Sequence, residues 1–197
     1  MRSRTPSSNS TTPPTNSAIN NVVLQSGGVP TGALLPNWAT GYAFAFPAGG
    51  NLEIARQERT QARRVPSWTL GYDASDPIFR IVAERILLNA RDVGITLQLA
   101  SSGATDVRLM RIPLPSEDPY VALTQLSKAL QLPGPRFRNS SVSALYSAEE
   151  TLLQTHSVIP LLHLRSALAV RGNVRDLSIL PGGELSLDNA WLSQEKP

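Results

Sequence analysis

Residues 68–99 constrain the fold more than any other part of this chain, because their pattern changes from strand to helix and back to strand. Asp76 is a preferred helix N-cap, and Pro77 suits the first helical position, where its missing N–H costs nothing. Gly94 suits the left-handed residue that follows a helix, and residues 95–99 then alternate as a half-buried strand does. Two strands joined by a helix lie parallel in one sheet, with a right-handed connection. The sequence therefore predicts an α/β scaffold.

Two helices have predicted packing faces. In the helix that begins at Pro77, apolar residues recur at near-helical spacing and predict a buried face made of Ile78, Ile81, Val82, Ile86 and Val93. A second Asp-Pro pair predicts another helix from Asp118-Pro119 to about Leu132, and its packing residues are Val121, Leu126 and Leu130.

The remaining elements are predicted from propensity and turn residues. Helices are expected at residues 52–64 and 142–155. The apolar run at 157–164 is interrupted by Pro160, which places it at a sheet edge or breaks its ladder. Short strands are expected at residues 21–25, 106–112, 167–170, 174–179 and 185–187.

Composition excludes several kinds of chemistry. The 197 residues include no cysteine and only two histidines, so we expect no disulfide, no metal site and no cofactor. No nucleophile motif, zinc motif or phosphate-binding loop is present. Glu149 and Glu150 are adjacent, and helical neighbours diverge by about 100°, so they are poor candidates for paired acid and base. We therefore expect no catalytic residues and no enzyme activity.

The net charge of +3 is unevenly distributed. Residues 1–64 contain six arginines and two glutamates, whereas the remainder has 12 basic and 13 acidic residues. A nucleic-acid interface needs basic residues interleaved with aromatics, and the basic residues near 56–64 have no aromatic neighbours. The sequence therefore predicts no nucleic-acid partner.

The first 20 residues are rich in Ser, Thr, Pro and Asn, which predicts a disordered tail. They lack the apolar central region of a signal peptide, and no apolar run in the chain is long enough to span a bilayer. Taken as complete, the chain is expected in the cytoplasm.

Aromatic residues concentrate between Leu34 and Phe46 without a helical or strand period. We interpret this segment as a loop that its aromatics anchor to a core. The alternative is a ligand-lining segment, since binding pockets favour aromatics, and its candidate contacts are Trp38 and Tyr42. Glu117 is a third candidate, because capping explains Asp118 but leaves Glu117 available for a ligand.

Several stretches of the chain together resemble one protein family. They are VVLQSGGVPTGALLPNWATGYAFAF, LGYDASDPIFRIVAERILLNARDVGITLQL, DVRLMRIPLPSEDPYVALTQL, AEETLLQTHSVIPLLHLRSALAVRGNVRDL and GGELSLDNAWL. In their order and spacing, they are similar to the extracellular solute-binding proteins of family 5, the peptide and nickel receptors of ATP-binding-cassette importers. The resemblance covers roughly residues 21–192.

The resemblance implies the C-terminal part of a two-lobed, periplasmic-binding-protein-like α/β fold, with a mixed or parallel sheet and flanking helices. After the tail at 1–20, residues 21–66 would cross between lobes, 67–156 would form the second-lobe scaffold, and 157–193 would return to the first lobe. Peptide-binding members place a Trp and an Asp, which clamps the peptide amine, at the positions of Ile112 and Pro115. The scaffold is therefore matched, and the clamp is not.

The resemblance further implies transport: a periplasmic or extracytoplasmic receptor that binds a peptide or another small solute and docks on the membrane permease. Two alternatives remain. The chain is a degenerate fragment that keeps the scaffold without binding, or it is a cytoplasmic α/β interaction or regulatory module. A small hydrolase would need a nucleophile and base that the sequence does not provide.

Overall fold

The computed structural model describes residues 15–42, 45–62, 67–165, 167–180 and 183–193. The helices are α1 (Thr15–Ala18), α2 (Asn37–Thr40), α3 (Leu52–Gln61), α4 (Pro77–Asp92), α5 (Pro119–Ala129) and α6 (Val142–Leu153), with a π-helical turn at Ile19–Val23. The strands are β1 (Gly28–Pro30), β2 (Ser67–Gly71), β3 (Thr96–Ala100), β4 (Val107–Arg108), β5 (Leu162–Leu164), β6 (Val174–Arg175), β7 (Ser178–Ile179), β8 (Leu185–Ser186) and β9 (Trp191–Leu192).

The fold is mixed α/β, with one parallel sheet and three antiparallel strand pairs among the described residues. The predicted strand–helix–strand unit is confirmed: β2 and β3 pair in parallel, from Ser67 opposite Thr96 to Gly71 opposite Ala100. β4 joins the other side of β2, which gives the strand order β3-β2-β4. The antiparallel pairs are β1 with β5, β6 with β9, and β7 with β8.

Local signals determine where α4 and α5 begin and where α4 ends. The Asp76 carboxylate accepts from the Ile78 N–H at 2.9 Å, and the Asp118 carboxylate accepts from two N–H groups of the first turn of α5. Gly94 has a φ of +78°, as expected for the residue that ends a helix. These three predictions are confirmed.

The predicted packing faces are correct only in part. In α4, Val82 is buried, but Ile78 and Ile81 are 48% and 50% exposed. The helix packs on β3, and the narrow sheet of β2, β3 and β4 does not extend far enough to cover the other apolar residues. In α5, Val121 is exposed. The helix faces the core with Ala122, Leu123 and Leu126, so its buried face is centred near Leu123 and excludes Val121.

Three strand or tail predictions are wrong where the structure describes the residues. Residues 21–25 lie largely in the π-helical turn, where the Asn20 side chain accepts from the Gly28 N–H at 2.9 Å and folds the backbone back. The predicted tail includes residues 15–20, yet these are helical, and Ile19 is fully buried. Residues 1–14 lie outside the described ranges. Residues 167–170 form no strand.

The strand predicted at 106–112 is shorter in the structure. β4 pairs with the end of β2, the backbone N–H groups of Asp106 and Leu109 donate to the carbonyls of Thr69 and Gly71, and residues 110–112 form no strand. The connection from β3 to β4 spans residues 101–106 and carries no helix. It places Thr105 directly on Gly71, the last residue of β2. Asp106 then joins the sheet, since its carboxylate accepts from the Thr69 N–H at 2.8 Å. Gly71 therefore leaves the space that this short crossing needs.

The main apolar core lies between α5, α6 and residues 34–46. Its buried members are Leu35, Tyr42, Ala122, Leu123, Leu126, Leu145, Ala148 and Leu152. The core is thus assembled from the loop before α3 and from helices that follow the parallel sheet in sequence. This arrangement brings the aromatic segment of the sequence against α6.

Two of the arginines in the basic first third hold α3 against the C-terminus of α4. The Nε of Arg59 donates to the Gly94 carbonyl at 3.0 Å, and that of Arg56 donates to the Asp92 carbonyl at 3.3 Å. Cations at a helix C-terminus satisfy its free carbonyls and oppose its negative dipole end. Part of the charge asymmetry is therefore structural.

None of the described helices has the length and apolar character needed to cross a membrane.

The Gly71–Thr105 contact predicts the effect of a single methyl group. A Cβ at Gly71 would lie 2.8 Å from both Cγ2 and Oγ1 of Thr105. We expect Gly71→Ala to lower the free energy of unfolding by about 1–3 kcal/mol through overpacking, as measured by urea denaturation. Thr105→Ala in the same background should recover part of the loss. Gly50→Ala, which enters open space, is the control. A Gly71→Ala variant as stable as the control would contradict the proposed reason for this glycine.

Candidate functional site

The polar centre of the core is the carboxylate of Glu149, which is completely buried on α6. Its Oε1 accepts from the backbone N–H of Leu34 at 2.5 Å and from that of Leu35 at 3.0 Å. Its Oε2 accepts from the hydroxyl of Tyr42 at 2.8 Å. These three hydrogen bonds connect α6 to the aromatic segment. Together with His163, which contacts the same loop from β5, the residues Glu149, Leu34, Leu35 and Tyr42 are called the Glu149 cluster.

The local sequence places Glu149 on the inward face of α6. The helix begins at the Ser141 cap, whose side chain accepts from the Ala144 N–H. Residues three and four apart share one helix face, so Leu145 and Leu152 lie on the same side as Glu149. Both leucines are buried. The apolar packing of α6 therefore carries the carboxylate into the core.

Burial determines the electrostatics of this pair. The pKa of Glu149 is raised above its ordinary value, because loss of solvation outweighs the hydrogen bonds that favour the charged form. The pKa of Tyr42 is raised by burial first and then by the charge of Glu149. The proton therefore stays on the tyrosine hydroxyl. Tyr42 remains a hydrogen-bond donor, and Glu149 remains its acceptor.

His163 connects β5 to the same loop. Its Nε2 lies 3.3 Å from the carbonyl oxygen of Leu34. Burial lowers the pKa of His163, which favours the neutral ring. A neutral imidazole with its proton on Nε2 donates to that carbonyl. Leu34 is thus held by α6 through its N–H and by β5 through its carbonyl.

Trp38 lies between the two points at which Glu149 holds the loop. It belongs to α2, which follows the extended residue Pro36 and ends at Gly41, where φ is +75°. Leu35 and Tyr42, on either side, are buried, whereas Trp38 is 65% exposed. The clamped loop therefore presents a large aromatic ring to the outside.

Tyr42 and Glu117 occupy different settings. Tyr42 is 7% exposed, and its ring packs edge-on against Tyr146 and Phe46, at centroid distances of 5.4 and 6.1 Å. Anchoring of the loop by aromatics is thus confirmed for Tyr42 and Phe46; Phe44 lies outside the described residues. Glu117 is exposed in the loop before α5. Within the described ranges, no hydrogen bond or ring contact joins Trp38, Tyr42 and Glu117 to one another.

The Glu149 cluster holds the loop in place and does not expose the carboxylate for a reaction. The hydrogen bonds to Glu149 come from groups of the protein, and the carboxylate is closed to solvent. In the part of the chain that the structure describes, no three His, Asp or Glu side chains are grouped so that they could hold a metal ion. Outside the core, the cluster holds the two ends of the short segment that carries the exposed Trp38.

Sequence reasoning treated Glu149 only as one half of an adjacent carboxylate pair. A usable signal was present, because Glu149 falls at the position that the spacing of Leu145, Ala148 and Leu152 assigns to the apolar face. A charged residue in such a stripe indicates a buried partner. Its partners, 115 and 107 residues away, could not be read from the helix itself.

Replacement of Glu149 should lower the free energy of unfolding, and the loss should grow with the number of hydrogen-bond donors left without an acceptor. Glu149→Ala leaves the N–H groups of half-buried Leu34 and buried Leu35 and the hydroxyl of Tyr42 without their acceptor, so we expect a loss of at least about 3 kcal/mol in the free energy of unfolding. Glu149→Gln keeps an acceptor for both N–H groups and should cost about 1 kcal/mol. Urea denaturation measures both, with Glu150→Ala as the control on the same helix. Equal losses in the alanine variants would contradict the central role of Glu149.

The raised pKa of Glu149 predicts a pH dependence with a definite sign. Above its ordinary pKa of 4.5, the unfolded chain has lost a proton that the folded state still holds. The stability contributed by this group is therefore complete below 4.5 and is lost as pH rises through the raised folded value. The wild-type chain should become less stable relative to Glu149→Gln with rising pH, in urea denaturation from about pH 4 to 8. His163 titrates in both proteins, so its contribution cancels in the difference between their free energies of unfolding. A wild type that becomes more stable than Glu149→Gln with rising pH would show that hydrogen bonding to Glu149 outweighs its burial.

Comparison with known proteins gave no match, either to a protein-family model or to a curated protein.

Proposed function

We propose that this chain is a substrate-binding component of an ATP-binding-cassette importer for peptides or related solutes, formed as the C-terminal part of a two-lobed receptor. The stretches quoted above, which resemble family 5 solute-binding proteins, provide the starting point. The mixed α/β architecture is compatible with such a scaffold.

The observation that carries the proposal is the pairing of β1 with β5. β1 belongs to the segment 21–66, which the resemblance assigns to a crossing between lobes, and β5 belongs to the returning segment 157–193. The two strands are antiparallel, with Gly28 opposite Leu164 and Pro30 opposite Leu162. A pair of strands that both pass between two lobes forms a hinge for closure around a ligand. The contact between His163 and Leu34 reinforces this pair.

Exposed apolar side chains support the partial nature of the structure. In the returning segment, Ile159, Leu187 and Leu192 are 75%, 65% and 70% exposed. Strands β6 to β9 there form pairs of two residues each, and among the described residues no third strand covers their outer edges. Open strand edges and exposed apolar side chains are the features that a covering partner removes from solvent. An opposing lobe would provide that cover.

Within this proposal, Trp38 contacts the ligand directly. Its exposed ring suits the apolar part of a peptide, and the Glu149 cluster holds the loop on both sides of it. Tyr42 acts through the loop, since its hydroxyl is bonded to Glu149. Glu117, which is exposed, offers a carboxylate to a positively charged group of the solute. The receptor works outside the cytoplasm and delivers its solute to the permease.

The competing proposal is a cytoplasmic α/β interaction module, which would use the same exposed apolar residues to bind a partner protein. The two proposals differ in what completes the structure. A receptor needs an opposing lobe, encoded in the same polypeptide or by the same gene, and the completed receptor binds a small solute. An interaction module binds a macromolecule and has no use for the solute.

The test is calorimetric titration with a library of short peptides. Two samples are compared: the full chain alone, and the full chain together with the polypeptide encoded immediately upstream of Met1, here called the joined pair. We expect saturable binding only by the joined pair. Trp38→Ala should weaken that binding by at least about tenfold, because a buried aromatic contact is lost. Trp68→Ala is the control for loss of an exposed tryptophan.

Three results would overturn the proposal. Saturable peptide binding by the chain alone would show that no opposing lobe is needed. An upstream region that encodes no lobe, or a joined pair that binds no peptide, would remove the receptor function and favour the interaction module.

A further inference from the structure

A small polar crevice lies at the carboxyl ends of the parallel strands, in a part of the molecule separate from the Glu149 cluster. Its volume is about 140 Å³. The chain reaches it from β2 at Tyr72, from the connection after β3, and from β4. Its polar lining residues are Tyr72, Ser101, Ser102, Thr105 and Arg108.

The topology makes this edge a natural binding position. From the central strand β2, the chain goes first to β3 on one side and then to β4 on the other. In open α/β sheets, ligands bind outside the carboxyl ends of the strands, where the order of the strands reverses. The crevice lies at that point. The crossing of residues 101–106 over Gly71 forms its wall.

The lining is rich in hydrogen-bond donors that the chain does not use. Across the described ranges, no hydrogen bond is donated by the backbone N–H of Ser101, Ser102 or Gly103. Gly103 has a φ of +87°, and open space lies where its side chain would be. Successive N–H groups and hydroxyls around a concavity favour an anion.

Arg108 adds a positive charge to this crevice. Among the described residues, the ion pair within 4.0 Å is Arg80 with Glu84, so Arg108 is not neutralised by direct contact. Asp73 is the neighbouring carboxylate that feels the charge of Arg108. Its Oδ1 is turned to Ser75, which donates from its N–H at 2.9 Å and from its hydroxyl at 2.7 Å. Among the described residues the Arg108 side chain donates no hydrogen bond, so its N–H groups remain available to an external ligand.

We propose that this crevice binds a small tetrahedral oxyanion of the phosphate or sulfate class. Its volume is below the roughly 300 Å³ of a pocket for a drug-sized ligand, which favours an ion or a single phosphoryl group. The Arg108 guanidinium pairs with two of the anion oxygens, and the serine hydroxyls and free N–H groups bind the others. All residues that line the crevice belong to this chain, so anion binding here does not require an opposing lobe.

The test is a titration of the full chain, labelled with nitrogen-15, with sodium phosphate, sodium sulfate and O-phosphoserine at low ionic strength. We expect saturable amide shifts confined to residues 101–103 and Arg108. Arg108→Gln should weaken binding by at least about tenfold, because a charge-assisted bond is lost. Arg111→Gln removes the same charge from an exposed residue three positions away and should leave binding within about twofold.

The ligands separate the possible sources of the anion. Binding of all three indicates a general oxyanion site, whereas binding of O-phosphoserine alone indicates a phosphoryl group on a larger molecule. Ser102→Asp, which places a negative charge in an exposed loop, should abolish binding even where Arg108→Gln does not fold. Absence of saturable shifts, or equal weakening by Arg108→Gln and Arg111→Gln, would overturn the proposal. Neither result bears on peptide binding by the joined pair.

Discussion

The burial of the Glu149 carboxylate is the constraint on which the larger part of this structure depends. A charge removed from water costs several kcal/mol unless hydrogen bonds replace its solvation. Here the replacements come from a loop 115 residues earlier in the chain, through Leu34 and Leu35, and from the hydroxyl of Tyr42. The loop therefore cannot leave α6 without exposing unpaired groups on both sides. This requirement fixes the position of α2 and, with it, of Trp38.

The parallel sheet is organised by a different kind of constraint. Its contacts are local in sequence: caps start α4, Gly94 ends it, and the short crossing after β3 fits because Gly71 has no side chain. The main core includes none of the described residues of β2 or β3. The chain thus holds two centres, one polar and closed around Glu149 and one open at the sheet edge. They differ in what they can do, because only the open centre leaves donors unused.

This difference explains which features the sequence could predict. The caps at Asp76 and Asp118 and the glycine at Gly94 act over three or four residues, so their pattern is visible in the chain itself. The helical turn at Ile19–Val23 replaces a predicted strand because Asn20 bonds to Gly28, eight residues later, and because Ile19 is buried; the burial of Ile19 cannot be read from the local pattern. The role of β1 depends on a partner more than a hundred residues away. Of the three candidate contacts, the sequence identified Trp38 and Tyr42 as aromatics of one loop, but only the fold separates the exposed ring from the buried one.

The part of the α4 prediction that failed is itself informative. Ile78 and Ile81 follow the same apolar spacing as the buried Val82, yet the sheet on which α4 packs leaves them half exposed. A helix gains stability from such a face only when something covers it. The same holds for the returning segment, where Leu187 and Leu192 are 65% and 70% exposed. The pattern of this sequence therefore specifies more apolar surface than its own described fold buries, and an opposing lobe or a protein partner would each supply the missing cover.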